Sequence, residues 1–204
     1  MRSRVAVIGI IVALCAAGTA IAFALAATMG GDGPEPEPSA SEAVTATDFC
    51  FVESMIYYRV ETVDITDALL RKAEVAPEAR DFAEDLAAAQ SAALDELRPW
   101  YVSWTDHRPL EPADEGPCAG HGDHAQMPGM PTQAQWTALI AADPAEAERL
   151  FAELLIAQNE AMIDFAEAVL QEDPHARVGE TAAATIDEAE GDIAALEDLL
   201  TQLP

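Results

Sequence analysis

Four side chains in the stretch HGDHAQMPGM are spaced so that they can share one ligand. His121, His124, Met127 and Met130 recur every third residue, two imidazoles followed by two thioethers. Thioether sulfur is a soft donor that favours Cu(I), and imidazole suits copper or zinc. His107 and Cys118 lie near enough in sequence to join the set. Copper is the metal such a segment would handle, as a sensor, store or chaperone. Against this, Gly116, Pro117, Gly120, Gly122, Pro128, Gly129 and Pro131 make the segment irregular. Three-residue spacing outside a regular helix defines no coordination shell. The alternative is packing: Met127 and Met130 plug the open end of a helical bundle as adaptable core residues, with the histidines exposed.

Cys50 and Cys118 are the only cysteines beyond the apolar start of the chain. An even pair in an oxidising compartment reads first as a disulfide. It would close about 69 residues and tie the start of the folded domain to the central loop. The rival reading keeps Cys118 as a metal ligand, three residues before His121. Catalytic patterns are lacking. There is no His-Glu-x-x-His and no Gly-x-Ser-x-Gly. Glu172 and His175 have the Glu-x-x-His spacing of di-iron carboxylate bundles. That pair occurs once, with Pro174 inside it. The expectation is a protein that is not an enzyme.

The elements that must carry these residues are helices. Ala, Leu, Glu and Asp dominate the composition. Asp143, Pro144 and Glu146 mark a helix start, with an N-cap, a proline at the first helical position and an acid three residues past the cap. Asp173-Pro174 and Ala76-Pro77 repeat the signal. Four long helices are expected near 48–75, 77–104, 144–172 and 174–202, with a short one over 132–142 opening at Thr132. Apolar residues recur in alternating steps of four and three, as packed helices require. The first helix shows Phe51, Met55, Tyr58, Thr62, Ile65 and Leu69. The third long helix shows Phe151, Leu155, Gln158, Met162, Phe165 and Val169, and the last shows Ala182, Ile186, Ala189, Ile193, Leu196 and Leu200. In the second, the expected stripe is Phe82, Leu86, Ala89, Ala93, Leu97, Trp100 and Trp104.

The domain also contains itself twice, at an offset of 100. Set over FVESMIYYRVETVDIT (51–66), FAELLIAQNEAMIDFA (151–166) matches Phe51 with Phe151, Glu53 with Glu153, Ile56 with Ile156 and Asp64 with Asp164. Duplication of a helical hairpin explains the match. The fold class expected is all-α: a four-helix bundle built from two duplicated hairpins, with a long central crossover loop. Two seam positions, Tyr58 and Gln158, break the apolar rule and are equivalent under the repeat. Each is followed by another polar residue, Arg59 and Asn159. Polar groups at bundle centres need partners, and bundle metal sites occupy such positions.

With these motifs in place the chain resembles the ferritin-like family known as domain of unknown function 305, found in many exported bacterial proteins. That family carries a Met-Ile-x-His-His-x-x-Ala-Ile-x-Met-Ala pattern twice, with a Met-x-Gly-Met loop between the copies. Here the copies read MIYYRVETVDIT (55–66) and LIAQNEAMIDFA (155–166), and the loop reads MPGM (127–130). The resemblance covers about residues 48–202 and implies the fold just described. It also implies an internal metal site at the His pairs, since family members are linked to copper and other metals. Both pairs are replaced here, by Tyr58-Arg59 and Gln158-Asn159. Arginine is a fixed cation that ligates no metal. A phenol or an amide is a poor substitute for imidazole toward copper or zinc. The expectation is a degenerate site, with Tyr58 and Gln158 hydrogen-bonded to each other or to nearby groups and Arg59 paired with an acid.

The remaining stretches set location. Arg2 and Arg4 precede about 24 uncharged, mostly apolar residues, longer than a signal peptide needs and long enough to span a bilayer. The expected organisation is 1–29 as transmembrane anchor or signal segment, 30–47 as an acidic Pro-rich spacer, and 48–204 as the bundle. The two arginines place the domain outside the cytoplasm: single-pass at the cell membrane, or secreted if the segment is cleaved. The formal charge is −27, and every acidic residue follows residue 30. Such a surface excludes nucleic acid as a partner and attracts cations only loosely. The sequence names no protein partner. It points to a membrane-tethered, extracytoplasmic, non-catalytic binding or accessory module, with copper handling by the loop as the other reading.

Overall fold

Most helices of this protein begin where the sequence supplies a cap. The structure, a computed structural model, describes residues 44–104, 115–119 and 124–203, all within one compact unit spanning 38–204. It contains α1 (Ala46–Leu70), α2 (Pro77–Ser103), α3 (Gln133–Ala141), α4 (Pro144–Leu170) and α5 (Ala176–Gln202), with a 3₁₀ turn over His124–Gln126. Asp143 accepts from the Glu146 amide at 3.0 Å, with Pro144 at the first helical position of α4. Thr132 and Gln135 form a reciprocal box that starts α3. Thr45 and Asp48 do the same for α1. That helix therefore starts inside the segment expected as spacer, because Thr45-x-x-Asp48 is itself a start signal.

Two helix ends differ from expectation. α5 starts at Ala176, with His175 as N-cap accepting from the Arg177 amide through Nδ1 at 3.2 Å. Asp173, expected as its cap, has φ of 51°. It sits in the left-handed turn that leaves α4, a conformation Asp tolerates better than most residues. α1 stops at Leu70, short of 75, and Glu74 turns left-handed at φ 64°. Arg80 donates to the carbonyls of Leu70 and Lys72 at the end of α1, and Lys72 to those of Ile140 and Ala142 at the end of α3. Cationic groups thus satisfy terminal carbonyls that no helix bond reaches.

The repeat becomes two antiparallel hairpins, α1–α2 and α4–α5, joined through α1 and α4. Phe51 near the start of α1 stacks at 5.9 Å on Phe165 near the end of α4. Ile65 and Leu69 share a cluster with Phe151 and Leu155. α1 and α4 are therefore antiparallel, and their equivalent centres, 58 and 158, meet at the crossing. The seams of α1 and α4 are buried as read, with Phe165 half-buried. The stripe of α2 is corrected: Ala79, Ala83, Leu86, Gln90, Leu94, Leu97 and Trp100 are buried, and Ala89 is exposed. Gln90 turns inward because Arg59 donates to it, so a polar residue holds a place an apolar pattern assigns outside.

Among the described residues no helix is long and apolar enough to cross a membrane. The anchor or signal expected over 1–29, and most of the spacer, lie outside those residues.

Candidate functional site

Two apolar clusters fill the bundle, one around Ile65 and Phe151 and one around Phe51 and Met162. A layer of buried polar side chains from four helices lies at the crossing between them. Tyr58 and Gln158 form its centre at 2 % and 1 % exposure. The Gln158 amide Nε2 donates to the Tyr58 carbonyl at 3.2 Å and lies 3.9 Å from Met130 Sδ. The Thr62 hydroxyl is 2.8 Å from Gln158 Oε1 and 3.0 Å from the Tyr58 carbonyl, and donates to one at a time. The Tyr58 hydroxyl donates to the Pro128 carbonyl at 2.9 Å. Burial pushes its pKa up to about 12, so the phenol stays neutral and remains a donor.

These bonds bring the polar pair and the central loop together, which the sequence left apart. Met127 and Met130 are half-buried against the Phe51 cluster, as the packing alternative expects. They do not plug an end of the bundle. The loop lies across the middle of α1 and α4, because Gly129 packs directly on the α4 backbone. A Cβ there would meet the Ala157 carbonyl at 2.7 Å and Gln158 Cα at 2.8 Å, and Gly129 has φ of +75°. The His124 ring stacks on Tyr57 with centroids 3.6 Å apart.

Arg59 carries the layer outward at 4 % exposure. Its guanidinium donates to Gln90 Oε1 at 2.8 Å on α2, and to Thr185 Oγ1 at 3.5 Å and Glu188 Oε2 at 3.3 Å on α5. Its Nε is buried with no partner among the described residues. Asn159, its counterpart in the repeat, is also buried. The expected pairing of Arg59 with an acid is realised by Glu188. One turn along α5, burial and the Glu188 charge push Asp192 up to about 6, with Arg59 opposing.

Cys50 and Cys118 form the expected disulfide, which removes Cys118 from any oxidised ligand set. His107 and His121 lie outside the described residues. Among the described ones, no group of three or more His, Cys, Asp or Glu side chains is placed to hold a metal. His175, weighed for its spacing from Glu172, caps α5, and its amide donates to Asp48 Oδ1 at 2.8 Å. Positions 58, 59, 158 and 159 hold a neutral phenol, a bonded guanidinium and two amides, a set that does not fit copper or zinc. Sequence reasoning placed Thr62 in the seam of α1 without its bonding role, and missed Thr185, Glu188 and Asp192. Only the polar Gln90 within an apolar stretch signalled the outer part of the layer.

The family model described as Domain of unknown function (DUF305) matches residues 48–200. A DUF305 fragment from Deinococcus radiodurans has a similar structure, with a TM-score of 0.65 and 21% identity, covering 78% of this chain and 99% of its own. A protein from Streptomyces coelicolor described as a secreted DUF305 protein also has a TM-score of 0.65, with 20% identity over 77% of this chain and 92% of its own. CopM in the Cu(II)-bound form has a TM-score of 0.56 and 22% identity, over 74% of this chain and 93% of its own. At these identities the likeness establishes the fold. No curated protein matches the chain.

Proposed function

The chain belongs to the DUF305 family, and we propose that it serves as a non-catalytic, extracytoplasmic binding or accessory module, tethered by residues 1–29, whose internal metal site has been replaced by a closed hydrogen-bonded layer. One observation carries this reading: the amide and the phenol at the helix crossing are both hydrogen-bonded, Gln158 to the Tyr58 carbonyl and within reach of the Thr62 hydroxyl, and Tyr58 to the Pro128 carbonyl. A ligand at either position would have to break bonds that now join α1, α4 and the loop. Arg59 beside them adds a fixed positive charge that repels a metal cation. The apolar start with its two arginines supports export, and so does the secreted Streptomyces neighbour. The charge of −27 supports neither nucleic acid nor an anionic membrane surface as partner.

A second reading, copper handling by His121, His124, Met127 and Met130, is favoured by one specific contact. Met130 brings its thioether to the crossing, 3.9 Å from the Gln158 amide, with Met127 in the same loop. The shared fold of CopM in the Cu(II)-bound form adds weight to it. Titration of the full chain with Cu(I) and Cu(II) against a competing chelator, with the disulfide verified by mass, separates the two. The first reading expects only loose, salt-sensitive association. Tight stoichiometric binding that survives 0.5 M salt would overturn it. If that binding is then lost in Met127→Ala/Met130→Ala, the loop is the site.

A further inference from the structure

The offset of 100 pairs Asp48 with Glu148, and each carboxylate serves the second helix of the other hairpin. Asp48 Oδ1 accepts the His175 amide at the start of α5 at 2.8 Å. Glu148 Oε1 accepts the Ala76 amide at the start of α2 at 2.8 Å. The second oxygens differ. Asp48 Oδ2 accepts from the Thr45 amide at 2.7 Å and from its hydroxyl at 2.8 Å. The counterpart of Thr45 is Ala145, which has no hydroxyl and already lies inside α4. Glu148 Oε2 accepts from no group among the described residues, although the side chain is only 8 % exposed. A carboxylate oxygen so deeply placed calls for a donor.

That side chain lines a cavity of about 210 Å³, formed by the starts of α2 and α4 and the end of α5. The volume suits a molecule of a few carbons and is below that of drug-sized ligand pockets. Ala79, Phe151, Leu199 and Leu203 give it an apolar wall, and Glu78 stands with Glu148 as the second acid. No basic side chain among the described residues lines it. The start of α2 contributes about half a positive charge, which two carboxylates exceed. The cavity therefore repels anions. One buried carboxylate beside an apolar wall also falls short of the six or more oxygens that a hard cation takes. Water would satisfy the oxygen but not the wall.

We propose that this cavity binds a small organic cation, a primary ammonium ion on a short apolar chain. Its N–H group donates to Glu148 Oε2, and its chain covers Leu199 and Leu203 beside Phe151. The cavity shares no residue with the polar layer at the helix crossing, so the two readings stand or fall separately.

The test is calorimetric titration of the full chain with n-butylammonium chloride, at about 0.15 M sodium chloride to screen exposed charges. One equivalent binds saturably. Tetramethylammonium, which has the charge but no N–H, and n-butanol, which lacks the charge, each bind at least about tenfold more weakly, as the loss of a charge-assisted hydrogen bond requires. Glu148→Gln keeps an acceptor for the Ala76 amide and weakens n-butylammonium binding by a similar factor. Leu199→Trp keeps the carboxylate, fills the cavity and abolishes binding. Glu197→Gln, an equal change of charge on an exposed turn of α5, binds as the parent does. Parent-like binding in Glu148→Gln or Leu199→Trp overturns the proposal. Equal affinity for tetramethylammonium does so too, since that is general attraction to an acidic surface, and so does a titration of the parent that never saturates.

Discussion

Gly129 is the residue on which the seating of the loop depends. Its φ of +75° disfavours any side chain, and a Cβ would press on Ala157 and Gln158 of α4. Gly129→Ala is expected to destabilise by about 1–3 kcal/mol from backbone strain alone, with the loop lifted to relieve the overlap. Lifting it would break the bond from the Tyr58 hydroxyl to Pro128. Equilibrium urea unfolding checks the first effect, and the near-ultraviolet signal of the buried tyrosine checks the second. A stability equal to the parent would mean that the loop does not pack on α4. The Met-Pro-Gly-Met run was visible in the sequence, but the need for its glycine was not, because that need arises from a helix about 30 residues away in the chain. The same limit hid the partners of Arg59. Gln90, Thr185 and Glu188 are 31, 126 and 129 residues from it, and local periodicity carries no information over such separations. Tyr58 and Gln158 were legible as a pair, since duplication places equivalent residues at the same height on facing helices.

Elements were legible wherever a start depends on local chemistry. Asp143-Pro144, Pro77 and Thr132 mark helices that form where expected, since a cap needs only neighbours three residues away. The start of α5 was misplaced because its cap is partly tertiary: Asp48, at the start of α1, accepts the His175 amide at 2.8 Å. The same carboxylate accepts the Thr45 amide at 2.7 Å. One buried side chain thus organises the starts of two helices from opposite hairpins. Asp143 serves one helix and is largely exposed to water around its cap bond. Removing an ordinary cap costs about 1 kcal/mol, whereas charge-assisted bonds contribute about 1.5–3 kcal/mol each. Asp48→Ala is therefore expected to cost about 3 kcal/mol, and Asp143→Ala about 1 kcal/mol. Denaturant midpoints of the two variants, measured side by side, give the comparison. Equal losses would show that Asp48 acts only on its own helix.

At the scale of the molecule, the two hairpins jointly build two apolar clusters and a polar layer between them, and the crossover that links them is pinned at two points. One is the seat of residues 127–130 on α4. The other is the Cys50–Cys118 disulfide, 68 residues apart in sequence, which ties the crossover to the first turn of α1. The cysteines were legible as a pair from composition and compartment. Their place beside the capping layer, with Cys118 at the Thr47 carbonyl, depended on the folded topology. A cross-link of this span limits the unfolded chain more than it alters the folded one, and the loop-entropy relation gives about 4 kcal/mol. The helices do not need it for their local order, because their caps and seams lie elsewhere. Reduction, or Cys50→Ser/Cys118→Ser, is accordingly expected to lower the unfolding free energy by about 4 kcal/mol while leaving the helical circular dichroism of the folded chain unchanged. Chemical denaturation of the oxidised and reduced protein measures the first quantity, and the spectrum before denaturant measures the second. A loss below about 1 kcal/mol would mean that residual structure in the unfolded chain already restricts it as much as the bond does. A loss of helical signal on reduction would mean that the first turn of α1 depends on the bond for its order. In that case Thr45 and Asp48 are not a sufficient start.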